Sequence, residues 1–538
     1  MLKTYPTTFL LPKRLKLASL VPSQTSALST DASFSPQQDP RQPILLASHQ
    51  AMSQARTDSP PRSQRALTYF PLGYKEAAQQ WWTSVSSRQA ERNVLSFVPY
   101  LREATAETVG SQLQELAKSD PFGHRVWRSS MVELSGKNRA LNELAIERVG
   151  EQADDTLVMV HGYGAGLGFF YKNFEPLTRA QGWKLYALDM LGMGNSSRPP
   201  FRIRAKDPQE KIAEAEGWFI DALEEWRKIR KIEKFTLLGH SLGGYLAVSY
   251  ALKYPGRLNK LILSSPVGVP EDPWAVNAAM PEPQESTLAN EFTQDQESIV
   301  NSEPAGTNAD YVRAPASEKK STAAQANTST TPPKRPIPSW LVWLWDANVS
   351  PFSIIRMAGP LGPRFVSGWT FRRFNHLPPD EKEALHTYSY ALFRQRGSGE
   401  YVLPYLLAPG AYARSPIINR IQDVGRQVLQ PATETSPAVR ETGLPIVFLY
   451  GENDWMDVAG GYAAEEKLNQ RRRQALLDAT EDEKRRENGS AKVLVVRKAG
   501  HNIHLDNPDE FNAVILREME ETRQKRLVLE SDEAEERG

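Results

Sequence analysis

The chain has 538 residues, longer than one ordinary domain but compatible with a single α/β core that carries insertions. Its 65 Lys and Arg against 64 Asp and Glu leave a net charge of +1, which argues against a general nucleic-acid binder. Without cysteine there is no disulfide, thiolate metal site or thiol nucleophile, and no apolar run reaches the roughly 18 residues of a membrane-spanning helix.

The first 65 residues stand apart. Lys3, Lys13, Arg14 and Lys16 occur with no acidic residue before Asp31. That composition suits a mitochondrial transit peptide, and the alternative, favoured by Pro12 within the amphipathic stretch, is a disordered tail. Organised sequence begins near Tyr69 and opens the first part of the core, 66–270. KEAAQQWWTSVSSRQAERNVLSF predicts one helix. Its adjacent Trp81 and Trp82 are expected to pack against the core, the other reading being that one ring enters a membrane interface.

From Leu144 short Val/Ile/Leu-rich segments recur: LAIERV, TLVMVHG, KLYALDML, KFTLLGHS, LNKLILSSP, PIVFLYG and KVLVVRKAGH. Separated by helical stretches such as EAEGWFIDALEEWRKIRKI, they predict a largely parallel sheet covered on both faces, whose chemistry gathers at the carboxyl ends of the strands. The first such end is HGYGAGLG, where the amide of Tyr163 or Gly164 is placed to bind an oxyanion. The second carries Asp189, expected to organise the turn before Gly192 and Gly194. In GHSLGG, Ser241 lies between Gly239 and Gly243 on a sharp strand-to-helix turn, and the Leu242 amide at the helix start is a second oxyanion donor.

Between Pro270 and Gly425 the core is interrupted. Residues 271–338 are rich in Pro, Ser, Thr, Gln, Asn and Glu and are expected to be disordered, and 339–425 to form a cap or lid. In the cap, Trp340, Trp343, Trp345 and Trp369 either line an acyl-chain channel or form its core. Arg356, Arg364, Arg372 and Arg373 either meet a phosphate headgroup or lie on a solvated surface. The core resumes over 426–520. Asp454 and Asp457 follow PIVFLYG and either can orient a histidine, with Asp454 preferred for its position nearer the strand. His501 ends the last strand, where an imidazole can take the Ser241 proton. Asp506 is expected to cap the helix after it, His504 to be exposed or packed, and 521–538 to form a charged, solvated tail.

With GHSLGGYLAVSYALKYPGRLNKLILSSPVGVP, HGYGAGLGFFYKNF, ALDMLGMGNSSRP and IDALEEWR in view, the chain resembles the phospholipid-acting branch of the α/β hydrolases. That branch includes cardiolipin-specific deacylases, N-acyl phospholipid lipases and lysophosphatidic acid acyltransferase-type proteins. The resemblance covers about Asn142 to Pro270 and Pro338 to Glu518. It implies an α/β-hydrolase fold with an inserted cap, Ser241 as nucleophile, His501 as base, and Asp454, with Asp457 as runner-up, as acid. The implied activity is phospholipid deacylation of the cardiolipin deacylase kind, without metal or other cofactor. His501 to Asp506 also matches a His-x-x-x-x-Asp spacing associated in this branch with acyl transfer, so phosphatidic acid synthesis is the alternative. Another class is a lipid-droplet scaffold that recruits a lipase; such members lack the nucleophile. The expected address is mitochondrial and peripheral to a membrane, with cytoplasm or lipid droplet as alternatives. Nothing sets the oligomeric state.

Overall fold

The computed structural model describes residues 70–105, 107–272, 295–301, 343, 345, 347–436 and 438–537. The segment 1–65 with its expected targeting signal lies outside them, as does most of 271–338.

The strands are β1 (Arg102–Glu103), β2 (Arg125–Glu133), β3 (Ala140–Arg148), β4 (Asp155–Val160), β5 (Trp183–Leu188), β6 (Phe235–His240), β7 (Leu258–Ser264), β8 (Val428–Gln430), β9 (Val439–Arg440), β10 (Pro445–Gly451) and β11 (Ser490–Val496). Among the described residues they form a nine-stranded sheet in the order β1-β2-β3-β5-β4-β6-β7-β10-β11, with β8 and β9 as a separate ribbon. From β5 to β11 every pairing is parallel. Burial on both faces explains the continuous apolar runs. Along β4, Leu157 and Met159 join one core cluster while Val158 and Val160 join the cluster on the opposite face. β2 was not legible as a strand because the two-residue β1 pairs with it only at Val126 and Trp127, and beyond them Arg128 and Ser130 are half-buried and Ser129 is exposed; on its other side it pairs antiparallel with β3.

The helices that matter to the site are α1 (Tyr74–Thr83), α2 (Ser87–Leu95), α3 (Pro208–Ile229), α4 (Leu242–Lys253), α5 (Gln296–Val300), α6 (Pro351–Met357), α7 (Gly362–Arg373), α8 (Pro379–Phe393), α9 (Val458–Asp478), α10 (Ile503–Asp506) and α11 (Pro508–Arg537). Four features differ from expectation. The single helix expected over 75–97 is two, because the Ser86 side chain accepts the Gln89 N–H and starts α2 anew. Trp81 and Trp82 of α1, both expected to pack against the core, are exposed. Within 271–338, expected to be disordered throughout, α5 is folded, with Gln296 and Ile299 buried. At the C-terminus the expected tail boundary at 521 falls inside α11, where Thr522 is buried and Arg526 bonds to Asp155 of β4 at 3.2 Å.

Candidate active site

β6 delivers Ser241 to the carboxyl edge of the sheet and α4 starts one residue later. Ser241 is held at φ 54°, ψ −115°, a left-handed conformation that costs an L-residue about 1–3 kcal/mol and persists only where its surroundings enforce it. The enforcing contacts are close. A Cβ on Gly239 would strike the Gly243 carbonyl, and one on Gly243 would lie 2.7 Å from the carbonyl oxygens of Val160 and His161. Only glycine lets strand and helix approach so tightly, which lifts the serine hydroxyl clear of the sheet.

His501 and Asp454 meet that hydroxyl. His501 Nε2 lies 3.0 Å from Ser241 Oγ, and His501 Nδ1 lies 3.0 Å from Asp454 Oδ1. Burial pushes the Asp454 carboxyl up, but the charge and hydrogen bond of His501, with the hydrogen bond from the Met456 amide, carry it below the ordinary value. Asp457 is engaged elsewhere: it is the N-cap of α9, accepting the Ala459 N–H at 2.9 Å. The two aspartates, three residues apart, therefore have separate tasks.

Three further histidines lie near the site, grouped by the fold and not by any spacing in the chain. His240 donates from Nε2 to the backbone carbonyl of His501 at 2.9 Å, and burial pushes its imidazole down to about 3, so the ring is neutral. His504 packs against it with ring centroids 4.7 Å apart and is pushed well down by burial. His161 accepts the Met190 N–H at 3.1 Å and donates to the Gly162 carbonyl at 2.7 Å. Among the described residues, no group of three His, Asp or Glu is arranged to hold a metal ion.

The glycine-rich loop abuts the serine: a Cβ on Gly162 would lie 2.9 Å from Ser241 Cβ. The Ala165 N–H returns to the Gly162 carbonyl at 3.3 Å, and Gly164, at φ 70°, takes the turn position that favours glycine. Tyr163 stacks on Phe352 of α6 at 5.3 Å, and Phe352 on Phe393 of α8 at 4.5 Å, so the cap rests on this loop. Asp189 holds the loop's far end, accepting the Leu167 N–H at 2.7 Å and the Asn195 N–H at 2.6 Å. Beside Asp189, burial and then the Asp189 charge push the Glu91 carboxyl of α2 up to about 8. Asn142 donates to both acids, at 3.2 and 2.8 Å, and Tyr388 of α8 donates to Glu91 at 3.1 Å.

Three of the cap arginines are engaged within the protein and do not lie on a solvated surface. Arg356 pairs with Glu400 at 2.6 Å, Arg364 donates to the Leu72 carbonyl and stacks over Tyr74 at 4.3 Å, and Arg373 is buried against Gln296 and Asp506. Arg372 is half-buried. Trp345 donates to the Leu407 carbonyl at 3.1 Å, and Trp369 packs on Phe374 and Phe393 within the cap. Trp343 is exposed, and Trp340 lies outside the described residues. Asp506 is not a helix cap. Asn507 accepts the Glu510 N–H of α11 at 3.3 Å, while Asp506 accepts the Gly500 N–H at 2.9 Å.

The fold has known counterparts. The α/β hydrolase fold family matches residues 155–508. A 1-acylglycerol-3-phosphate O-acyltransferase of Arabidopsis thaliana is 30% identical over 436 residues, 79% of this chain and 78% of that protein. A (lyso)-N-acylphosphatidylethanolamine lipase of Homo sapiens is 29% identical over 368 residues, 68% of this chain and 79% of that protein. The 1-acylglycerol-3-phosphate O-acyltransferase ABHD5 of Mus musculus is 28% identical over 390 residues, 72% of this chain and 82% of that protein.

Proposed function

Since the chain belongs to the α/β-hydrolase family, we propose that it is a serine-dependent acyl hydrolase of phospholipids. The observation that carries this reading is the unbroken relay from Asp454 through His501 to Ser241, with both hydrogen bonds at 3.0 Å. Ser241 attacks the acyl ester as His501 Nε2 accepts its proton. Asp454 fixes the imidazole so that Nδ1 carries the hydrogen and the imidazolium is stabilised. The amides of Leu242 and of Tyr163 or Gly164 hold the developing oxyanion. His501 then returns the proton to the leaving alcohol, and water, deprotonated by His501, releases the fatty acid.

The substrate class rests on relatives named for lysophosphatidate acylation and for N-acylphosphatidylethanolamine lipolysis. Cardiolipin is the proposed substrate. Acyl transfer is the second reading, favoured by the names of the Arabidopsis and mouse relatives. There a lysolipid hydroxyl replaces water at the acyl-enzyme. Exposed Trp82, Trp343, Met357 and Ile354 support peripheral contact of the cap side with a lipid surface.

Turnover by the purified protein on cardiolipin and phosphatidylcholine vesicles, with and without lysophosphatidic acid plus acyl-CoA, tests these readings. Serine-dependent release of fatty acid and lysolipid is expected, with a loss of about a thousandfold or more in Ser241→Ala. Gain of phosphatidic acid dependent on acyl-CoA would move the assignment to acyl transfer. No turnover in either assay would leave a lipid-binding scaffold.

A further inference from the structure

His501 does not end the last strand as expected: β11 stops at Val496, and His501 is carried by the loop 497–502 between β11 and α10. An imidazole there reaches both Ser241 and Asp454 only if the loop backbone is held, and a shift of about 1 Å in such a group costs about a hundredfold in rate. The buried Asp506 accepts the Gly500 N–H at 2.9 Å, one residue before His501. Buried Arg373, from the last turn of cap helix α7, donates to Asp506 at 3.4 Å. With the Asn502 amide oriented to accept, the same guanidinium also donates to its oxygen at 2.5 and 2.6 Å. The remaining arm of Arg373 donates to Gln296 of α5 at 2.8 Å, inside the insertion. The residues on both sides of His501 are thus tied to one guanidinium, oriented in turn by the insertion.

We propose that Asp506, Arg373 and Gln296 are positioning residues that hold the His501 loop in register with Ser241. The His-x-x-x-x-Asp spacing is then a brace for the base, serving hydrolysis and acyl transfer equally, and not a separate centre for transfer. The geometry explains the spacing. Four intervening residues form the turn of α10, which brings the Asp506 carboxylate back to the amide at the start of its own loop. It also gives part of the insertion a task, since α5 presents Gln296 to Arg373 from outside the hydrolase core. This inference rests on the acyl-enzyme reading above.

The experiment is the rate of covalent labelling of Ser241 by a fluorophosphonate, with kcat and KM for both lipid reactions and unfolding midpoints, in Asp506→Ala, Asp506→Asn and Gln296→Ala. Labelling should slow about a hundredfold in Asp506→Ala and less in Asp506→Asn, whose side-chain oxygen can still accept the Gly500 N–H. Gln296→Ala should slow labelling severalfold without moving the unfolding midpoint. The lipid reactions should lose kcat at constant KM, hydrolysis and transfer alike. Wild-type labelling rates in folded Asp506→Asn and Gln296→Ala would overturn the proposal, as would loss of transfer alone in Asp506→Asn. If the wild-type protein itself is not labelled, the acyl-enzyme reading fails, which separates that failure from failure of the brace.

Discussion

The carboxyl edge of the sheet and the outer face of the cap treat polarity in opposite ways. At the sheet edge, charged and titratable groups go inside because each finds partners there: Asp189 between backbone amides, His240 on the His501 carbonyl, Asp506 on Gly500. On the cap side, Arg364 and Arg373 are only 4% and 3% exposed, whereas Trp82, Met357 and Trp343 are 81%, 78% and 66% exposed. Cationic side chains have become internal ties and apolar ones face outward. A buried guanidinium is tolerated where carbonyls, amide oxygens and carboxylates surround it. The first region holds geometry; the second leaves large apolar side chains exposed, which is the observation behind the proposed lipid contact.

The sharpest way to break this contrast is at the two aspartates. Asp454→Asn should lower kcat by about a thousandfold or more by releasing the His501 orientation. Asp457→Asn, which keeps a side-chain oxygen for the Ala459 N–H, should leave kcat near wild type. Steady-state turnover of the two variants checks this, and equal losses would deny the division of tasks. A smaller effect is expected on the outer face. Trp82→Ser combined with Met357→Ser should weaken partition onto anionic vesicles by about tenfold, judged from the apolar area exposed, while Ser241 labelling in solution stays unchanged. Vesicle co-sedimentation measures it, and undiminished binding would remove the proposed lipid contact from this face.

The smallest expected effect lies where the two regions meet, at Glu91 of α2 beneath Tyr388 of the cap. Its folded-state pKa is raised from 4.5 to about 8, first by burial and then by the Asp189 charge. A carboxyl raised on folding supports the native state fully below its unfolded value, and that support is lost as pH rises through the folded one. The unfolding midpoint should therefore fall between about pH 4.5 and about pH 8. Glu91→Gln, which cannot ionise, should flatten that fall by a few degrees. Thermal unfolding across this range decides it, and identical slopes would mean that the two acids do not share a single charge.

Much of the scaffold was legible because its signals are local. Parallel strands buried on both faces read as apolar runs, and Gly239-His240-Ser241-Leu242-Gly243 between a strand and a helix marks a turn that only small residues permit. His501 was legible as a histidine following the last such run, though it lies on the loop after β11 and not at the strand end. Asp454 is preferred over Asp457 in the sequence only for its position nearer the strand; both follow β10, and the path of the loop turns one toward His501 and the other onto α9. The roles of Arg373, Asp506 and Gln296 had no local signal: they lie far apart in the sequence, and an arginine in an aromatic segment reads as surface until its partners are known.

Local signals in the chain, then, were enough for the buried parallel strands, the strained serine turn and the residue types able to carry acyl chemistry. These depend on hydrophobic periodicity and on backbone sterics within a few neighbours. Only the tertiary structure decided which acid faces the histidine, which arginines are buried, and that part of the insertion folds against the cap. Those outcomes depend on which groups distant in sequence are desolvated together, and a buried charge is stable only where the whole fold supplies its partners.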